Sequence, residues 1–520
     1  MPDLRFGHRL VGPGHPVYFI AEAGSNHNRS FEQALRLIDV AAECGADAVK
    51  FQTFRAEALY PRRAGQTDYL KVPRSIYDLI HEMEMPLGWI PELFAYCQER
   101  RIDFLSTPFD ERSANALLPY VPAFKIASYE MTHHGLVQHC ARLGKPLIIS
   151  TGTANLDEVG EAVAAARAVG CEELVLLQCT AKYPAPLSAL NVRTLPTMAA
   201  AFGVPVGLSD HSREALPGPL AAVALGAAVI EKHFTLSNRL PGPDHAYALE
   251  PAELAELIRQ VRRLEQALGS PEKRYAPEEE ELRRFARRSI FTRRAIAQGE
   301  RLTVGNSAVL RCGKLAAGLH PKRYLHLLGR PALADLGDEV AVDEALLGEL
   351  RLVDGEVALR PLTEGDTALV VAWRNLPELH SQLFSPRPPT EEEHRAWFAR
   401  YQQRQDRREL VIELEGRPVG TIGLANLDLG DGRADYGIAL GVPEARGRGV
   451  ALRASRLLLE FGFEVLGLQT IRLELWSDNL AARKLYDRLG FVLAPTQPEA
   501  RLKDGQLREV TAMLLTRPAT

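Results

Sequence analysis

The chain has 520 residues, 46% of them hydrophobic and 25% charged, with a formal net charge of −4. That is the composition of a globular protein too long for a single core, with room for about three domains. The near-neutral balance leaves no electrostatic footprint for nucleic acid or an anionic membrane, and the longest apolar run, Leu220 to Ile230, is far short of the roughly 20 residues of a membrane span. Six cysteines (44, 97, 140, 171, 179 and 312) form no CxxC pair, which predicts reduced thiols rather than disulfides or a zinc framework. The first residues lack the basic-then-apolar layout of a signal peptide, so a cytoplasmic location is expected.

From residue 17 to about 268, short apolar runs alternate with helical patterns. The runs are "VYFIAEAG", "DAVKFQTF", "DFLSTPF", "FKIAS", "PLIISTG", "LVLLQCT", "PVGLSDH" and "VIEKHFT". Segments such as "FEQALRLIDVAAECG" and "LDEVGEAVAAARAVG" carry i, i+3, i+4 apolar spacing and stop at glycine, and a small-residue helix is expected from Ala215 to Ala228. Nearly all-apolar strands separated by helices indicate a parallel sheet, and eight such units predict a closed (β/α)8 barrel over residues 1–270. Residues 269–288, rich in charge and proline, read as a linker. A small β-leaning unit follows over 285–350, too small to have much of a core alone, and an α+β domain over 355–520.

In such a barrel the C-terminal strand ends form the active site. Here all eight ends carry polar groups: Glu22 and Asn26; Lys50 and Gln52; Thr107; Lys125, Ser128 and Glu130; Ser150 and Thr151; Thr180 and Tyr183; Ser209, Asp210 and His211; Glu231, Lys232 and His233. Any one of them could be a satisfied core residue or a loop cap. Charged groups at all eight ends are harder to explain so, because burying them unpaired is expensive. Lys50 and Lys125, with the hydroxyls of Thr107, Ser128, Ser150 and Ser209, suit a phosphate and a carboxylate held together. His211 and His233, on consecutive strands, read either as hydrogen-bonded structural histidines or as two ligands of a divalent metal acting as a Lewis acid.

The segments "IAEAGSNHN", "VKFQTF", "FLSTPFD", "FKIAS", "ISTG", "YPAP", "GLSDHS", "IEKHFTL" and "PGPDH" resemble, in order, those of the sialic acid (nonulosonic acid) synthase family. The likeness reaches about residue 350, where 285–350 is similar to that family's antifreeze-like (SAF) domain. It implies condensation of phosphoenolpyruvate with the open-chain form of an N-acetylated amino hexose, phosphate release by C–O cleavage, and a manganese or magnesium ion. By the same resemblance His211 and His233 would hold the metal. Lys50, Thr107, Lys125, Ser128, Ser150 and Ser209 would hold phosphoenolpyruvate; Glu22, Gln52, Tyr183 and Asp244 the sugar; and Glu130 would carry a proton. Arg311 would reach the sugar's N-acyl group from the partner of a domain-swapped homodimer. Three departures stand out: Cys312 follows Arg311 where the family has proline, Ala181 replaces an asparagine, and "DYLKVPR" lacks a sugar-contacting asparagine. "PGPDHAYALEP" is similar to the neuraminate and legionaminate branch and "GLHPKRYLHLLG" to the pseudaminate one, so the product stays open.

In the third region a strand leads into Arg446-Gly447-Arg448-Gly449-Val450-Ala451 and then a helix, a layout in which backbone N–H groups hold a pyrophosphate. Downstream, Asn479 and Tyr486 lie seven residues apart, on one helix face. Together these resemble the GNAT acetyltransferases, in particular the branch acting on nucleotide-linked aminosugars. The likeness implies acetyl-CoA along 446–451 with Asn479 contacting it, and Tyr486 as the acid that returns a proton to the thiolate; Asp435 is a candidate base. The leading expectation is thus a bifunctional enzyme. The alternatives are a synthase with a non-catalytic acetyl-CoA-binding module, and a metal aldolase using free pyruvate.

Overall fold

The eight apolar runs become eight parallel strands, and we number them β1 (Tyr18–Gly24), β2 (Ala48–Thr53), β3 (Asp103–Pro108), β4 (Phe124–Ile126), β5 (Leu147–Ser150), β6 (Leu174–Cys179), β7 (Val206–Asp210) and β8 (Val229–His233). Their order is β3-β2-β1-β8-β7-β6-β5-β4, and the two ends of that path lie against each other, which closes a barrel. A short hairpin, Leu4–Phe6 with Arg9–Val11, precedes it. The computed structural model describes residues 3–66, 74–495 and 499–518, so the segment "DYLKVP" at 68–73 lies outside the described residues. The chain divides into two compact units, Met1–Lys273 and Arg274–Thr520.

Successive residues of a strand point to opposite faces, which sorts the polar strand ends into two sets. Lys232 turns outward, where its Nζ donates to Asp210 Oδ2 at 2.7 Å and to the Ser212 carbonyl at 2.6 Å. Glu231 and His233, its neighbours, turn inward. Gly207 of β7 is fixed by packing: a Cβ there would lie 2.2 Å from the Val229 carbonyl and 2.7 Å from Leu177. Around the barrel the helices start where caps allow. Asn155 accepts from the N–H groups of Asp157 and Glu158 while the Glu158 carboxylate accepts from Asn155 N–H, opening Leu156–Arg167. The helix before β8 is shorter than expected, Pro217–Ala224 rather than 215–228, because proline sets its first turn and Gly226, at φ 92°, follows its end.

The stretch expected to be a linker contains a helix, Glu280–Ala286, after a single 3-10 turn at Pro277–Glu279. None of its residues is buried; an Arg284–Glu280 ion pair one turn apart (2.8 Å) supports it, a signal that apolar periodicity does not carry. Strands β9 (Arg288–Thr292) and β10 (Ser307–Arg311) then pair antiparallel over a small core of Ile290, Ile296, Leu302, Leu327, Leu336 and Val342. The rest of this segment's apolar surface is shared. Leu325, Leu328 and Leu350 pack into the same core as Leu410, Ile412 and Phe461, and Val304 N–H donates to the Val465 carbonyl at 3.0 Å.

The remaining strands are β11 (Leu352–Asp354), β12 (Val357–Pro361), β13 (Arg408–Leu414), β14 (Arg417–Asp428), β15 (Arg433–Leu440), β16 (Thr470–Trp476), β17 (Val492–Leu493), β18 (Glu499–Lys503) and β19 (Gln506–Thr516). They form one sheet in which every described pairing is antiparallel except β15 with β16. That parallel pair bonds only from Arg433–Asp435 to Thr470–Arg472 and then separates, opening a cleft in the sheet. The helix Val450–Glu460 packs on one face, and helices Thr367–Arg374 and Glu391–Tyr401 belong to the other. All six cysteines are free thiols, and among the described residues no helix is long and apolar enough to cross a membrane.

Candidate active sites

Parallel register brings the inward residues of the barrel into a continuous buried charge ladder. Glu22 and Lys50 are register partners on β1 and β2, and Lys50 Nζ lies 2.7 Å from Glu22 Oε2. The same ammonium donates to Thr107 Oγ1 at 3.1 Å and stands 3.6 Å from Glu231 Oε1. Glu231 in turn accepts from Ser209 Oγ at 3.2 Å and lies 3.9 Å from Lys125 Nζ, which donates to Ser150 Oγ at 2.7 Å. Lys50 and Lys125 are each 2% exposed, so these are interior charges that survive only because they are paired. Glu231 has no role in the implied site; it is the carboxylate that lets two lysines share one cavity.

The electrostatics follow from that arrangement. Burial pushes the Glu22 carboxyl up to about 7, with Lys50 opposing and Glu231 reinforcing. Glu231 is also driven up by burial, but Lys125 and Lys50 together outweigh this and hold it below the ordinary carboxylate range. Lys125 is lowered by burial with Glu231 opposing, whereas for Lys50 the carboxylates Glu22 and Glu231 overcome burial and raise it. Glu130, beyond β4, is raised to about 7 by burial, and its Oε2 is shut off from solvent with no hydrogen-bond partner.

His211 and His233 meet with ring centroids 5.3 Å apart. His211 Nδ1 is 3.0 Å from the Thr180 carbonyl, which only an N–H can satisfy, so the lone pair of the neutral ring sits on Nε2. His233 Nδ1 faces Tyr247 Oη at 3.5 Å and Asp244 Oδ2 at 4.0 Å. Burial, with His211 and Lys50 adding to it, holds the His233 pKa well below the ordinary range, so the ring is neutral, the form that coordinates metal. Burial also disfavours charge on His211, but the Cys179 thiol 3.8 Å away and the Thr180 carbonyl outweigh it and raise that pKa. Among the described residues no group of three or more His, Cys, Asp or Glu is placed to hold a metal ion; the pair of imidazoles is what the barrel offers one. Two imidazole donors, His233 neutral already and His211 giving up its proton on coordination, with oxygen ligands from elsewhere would fit a divalent cation.

The sugar-side candidates gather beside the histidines. Tyr183 packs at a tilt of 30° against His211 with centroids 4.2 Å apart, and Gln52 Nε2 donates to Glu22 Oε1 at 2.8 Å. A Cβ on Gly24, whose φ is 53°, would lie 3.4 Å from both Asp244 and Glu22. Ser128 Oγ accepts from Gly152 N–H at 3.0 Å, at a point where a Cβ on Gly152 would meet it at 2.8 Å. Arg311 belongs to the other unit, where it ends β10 with its side chain exposed. The departure at Cys312 has a local reason: its N–H donates to the Arg287 carbonyl at 3.1 Å, a bond proline cannot make.

In the second unit a cavity of about 730 Å³ opens at the cleft between β15 and β16. Arg446, Gly447, Ala451, Asn479 and Tyr486 all line it. Gly447 and Gly449 both have φ 75°, a backbone shape that presents successive N–H groups to an anion. Arg448, Gly449 and Val450 do not join the lining: Arg448 reaches Glu415 at 2.8 Å, Gly449 is the cap residue before the helix, and Val450 enters the core. Asn479 caps the helix Leu480–Leu489 by accepting from Ala482 N–H at 3.0 Å. Tyr486 stands among Tyr436 and Phe491, and burial pushes its phenol up to about 12, which keeps it protonated. Asp435 lines the cavity and accepts from Asn426 Nδ2 at 2.8 Å.

A barrel with a buried charge ladder at its strand ends and an α+β domain with a glycine-turn cavity define a two-part transferase. The chain belongs to the NeuB family, whose sequence model matches residues 37–273, and it carries an acetyltransferase (GNAT) domain matched over 356–492. It is 44% identical to the spore coat polysaccharide biosynthesis protein SpsE of Bacillus subtilis over 67% of this chain and 98% of that protein. It is 38% identical to the N,N'-diacetyllegionaminic acid synthase of Campylobacter jejuni over 61% of this chain and 98% of that one. The solved N-acetylneuraminic acid synthetase of Leptospira borgpetersenii superposes with a TM-score of 0.50 at 33% identity, covering 54% of this chain and 95% of its own.

Proposed function

We propose that the barrel condenses phosphoenolpyruvate with an N-acetylated amino hexose in its aldehyde form, giving a nonulosonic acid and inorganic phosphate. The observation that carries this reading is the ladder of Lys50 and Lys125 beside two imidazoles, at the strand ends where a dianionic substrate and an aldehyde could meet. Carbon 3 of phosphoenolpyruvate attacks the aldehyde carbon, water adds at carbon 2, and the C–O bond to phosphate breaks. Lys50, Lys125 and the hydroxyls of Thr107, Ser150 and Ser209 hold the phosphate and carboxylate; Ser128 completes that end. His211 and His233 would hold a manganese or magnesium ion, which would supply Lewis-acid polarisation of the aldehyde. Glu22, Gln52, Tyr183 and Asp244 take sugar hydroxyls. Glu130, near neutrality in pKa, moves the proton.

The second unit acetylates an aminosugar, with acetyl-CoA along residues 446–451 and Tyr486 as the acid; a nucleotide-linked aminosugar is the acceptor we favour. Residues 285–350 serve as an antifreeze-like cap, Arg311 reaching the partner's sugar in a swapped homodimer, and the free thiols agree with a cytoplasmic setting. The test is phosphate release with phosphoenolpyruvate and a panel of N-acetylated hexoses. Dependence on both substrates and mass-verified nine-carbon acids are expected; equal turnover with free pyruvate would reassign the barrel as an aldolase. Coenzyme A release on adding aminosugars checks the second unit, and its absence would leave only a binding module.

A further inference from the structure

The hydrogen-bonded ladder between β7 and β8 stops one residue short of the two imidazoles. Its last register pair is Asp210 with Lys232. His233 is still inside β8, in register with Glu22 of β1, and its carbonyl accepts from Leu249 N–H at 2.9 Å. His211 lies past the end of β7 and opens a loop over residues 211–214. Strand hydrogen bonds therefore fix one ring, and the other has to be placed by something else. A site that uses both rings together tolerates an error of only about 0.5 Å in their placement.

Alternation sends the residues just before the imidazoles to the outer side of the barrel, and there Lys232 takes hold of the loop. Lys232 and Asp210 are each 1% exposed. Lys232 Nζ lies 2.7 Å from Asp210 Oδ2, 2.6 Å from the Ser212 carbonyl, 3.2 Å from Ser212 Oγ and 3.1 Å from the Glu214 carbonyl. Asp210 closes the arrangement, since its Oδ1 accepts from Ser212 N–H at 2.8 Å and its Oδ2 from Ser212 Oγ at 3.0 Å. The residues before and after His211 are thus both gripped by the residue before His233. Gly218 lets this cluster close up, because a Cβ there would stand 3.1 Å from Asp210 Oδ2 and 2.8 Å from Leu190. On the inner side, His211 Nδ1 meets the Thr180 carbonyl and the His211 carbonyl accepts from Ala185 N–H at 3.0 Å.

Burying an ion pair here is costly: burial lowers the Lys232 pKa, with Asp210 opposing. If packing were the only requirement, two apolar side chains of similar volume would serve as well. What an ammonium adds is convergent donation to the carbonyls of a loop, which no apolar side chain can make. We infer that Lys232, together with Asp210, is the positioning residue of the histidine pair, acting through the loop backbone to set where His211 stands relative to His233. The role rests on the reading of the two rings as a metal pair, and it assigns the strut that holds them with centroids 5.3 Å apart.

Two measurements on the full chain test this: manganese binding, followed by the electron paramagnetic resonance signal of the free ion, and amide hydrogen exchange without metal. One variant is Lys232→Met. The other is the double variant Asp210→Asn/Lys232→Met, which removes both charges so that no buried carboxylate is left unpaired. Each should weaken manganese binding about 10- to 100-fold. Without metal, peptides covering 181–186 and 210–216 should exchange about 10-fold faster, with the other strands of the barrel exchanging as in wild type. Wild-type manganese affinity in the double variant would overturn the inference, whether or not the loop exchanges faster. So would failure of both variants to fold, which would make the pair a stability element alone. A wild-type chain that binds no manganese would instead refute the metal reading, and exchange in the metal-free chain would still show whether Lys232 holds the loop.

Discussion

The two sites treat buried charge in opposite ways. In the barrel, Lys50 and Lys125 are neutralised by Glu22 and Glu231, so a phosphate or carboxylate that enters must displace carboxylates already in place. In the cavity of the second unit Arg374, at the end of helix Thr367–Arg374, makes no side-chain hydrogen bond to a described residue and has only the longer-range pull of Glu409, and Gly437 there adds no side chain, so no close ion pair has to break when that guanidinium is engaged. The first design makes binding residues into stability residues as well; the second keeps the two apart.

The sharpest way to break that contrast is to remove one charge from each side. Glu231→Gln leaves two buried ammonium groups short of a carboxylate and should destabilise the barrel unit by about 3–5 kcal/mol. Arg374→Gln should move the second unit by no more than about 0.5 kcal/mol. Differential scanning calorimetry of the full chain reads both; a Glu231→Gln barrel as stable as wild type would show that the ladder is not held by that carboxylate. Next in size, His211→Ala and His233→Ala should each lower phosphate release by about 100- to 1,000-fold, as should chelation, with manganese or magnesium rescuing only the wild type. Coenzyme A release by the same proteins should be unchanged, because the sites are separate.

Tyr486→Phe removes only a transferable proton, so acetyl transfer should slow by about 100-fold while acetyl-CoA affinity measured by calorimetry holds. A parallel loss of affinity would make Tyr486 a packing residue. The smallest effect concerns Glu130, whose folded pKa of about 7 lies above its unfolded value of 4.5. The folded state therefore keeps an extra proton between those values, and its stability declines as pH rises from 4.5 to 7. Glu130→Gln should flatten that decline, worth about 1–3 kcal/mol, in unfolding curves taken across the window. An unchanged slope would place the carboxyl in water.

The strand ends of the barrel were legible because a polar residue closing an all-apolar run has few structural uses, and His211 and His233 announced themselves at matching offsets on neighbouring strands. What could not be seen was who pairs with whom. That Glu231 joins two lysines from β2 and β4 depends on closure and register, which bring strands distant in the chain to one axis. Lys232 showed the same ambiguity, and alternation sends it outward to Asp210. In the second unit the Arg446–Ala451 turn was plain, yet only folding shows that Arg448, Gly449 and Val450 lie outside the cavity lining. Arg374 sits in an ordinary amphipathic helix, with no local mark that its side chain makes no hydrogen bond to a described residue. The helix at Glu280–Ala286 was hidden for a related reason, since side-chain ion pairs rather than an apolar face support it.

The shared core around Leu325, Leu328, Leu350, Leu410, Ile412 and Phe461 bears on how this gene can change. Fission after codon 350 would strip those leucines of their cover and leave the upstream product with a sticky apolar face, prone to self-association. Two proteins could not be recovered from this one merely by inserting a stop and a start. Inheritance of the two parts as a single reading frame is therefore protected by packing, whatever advantage the chemistry adds.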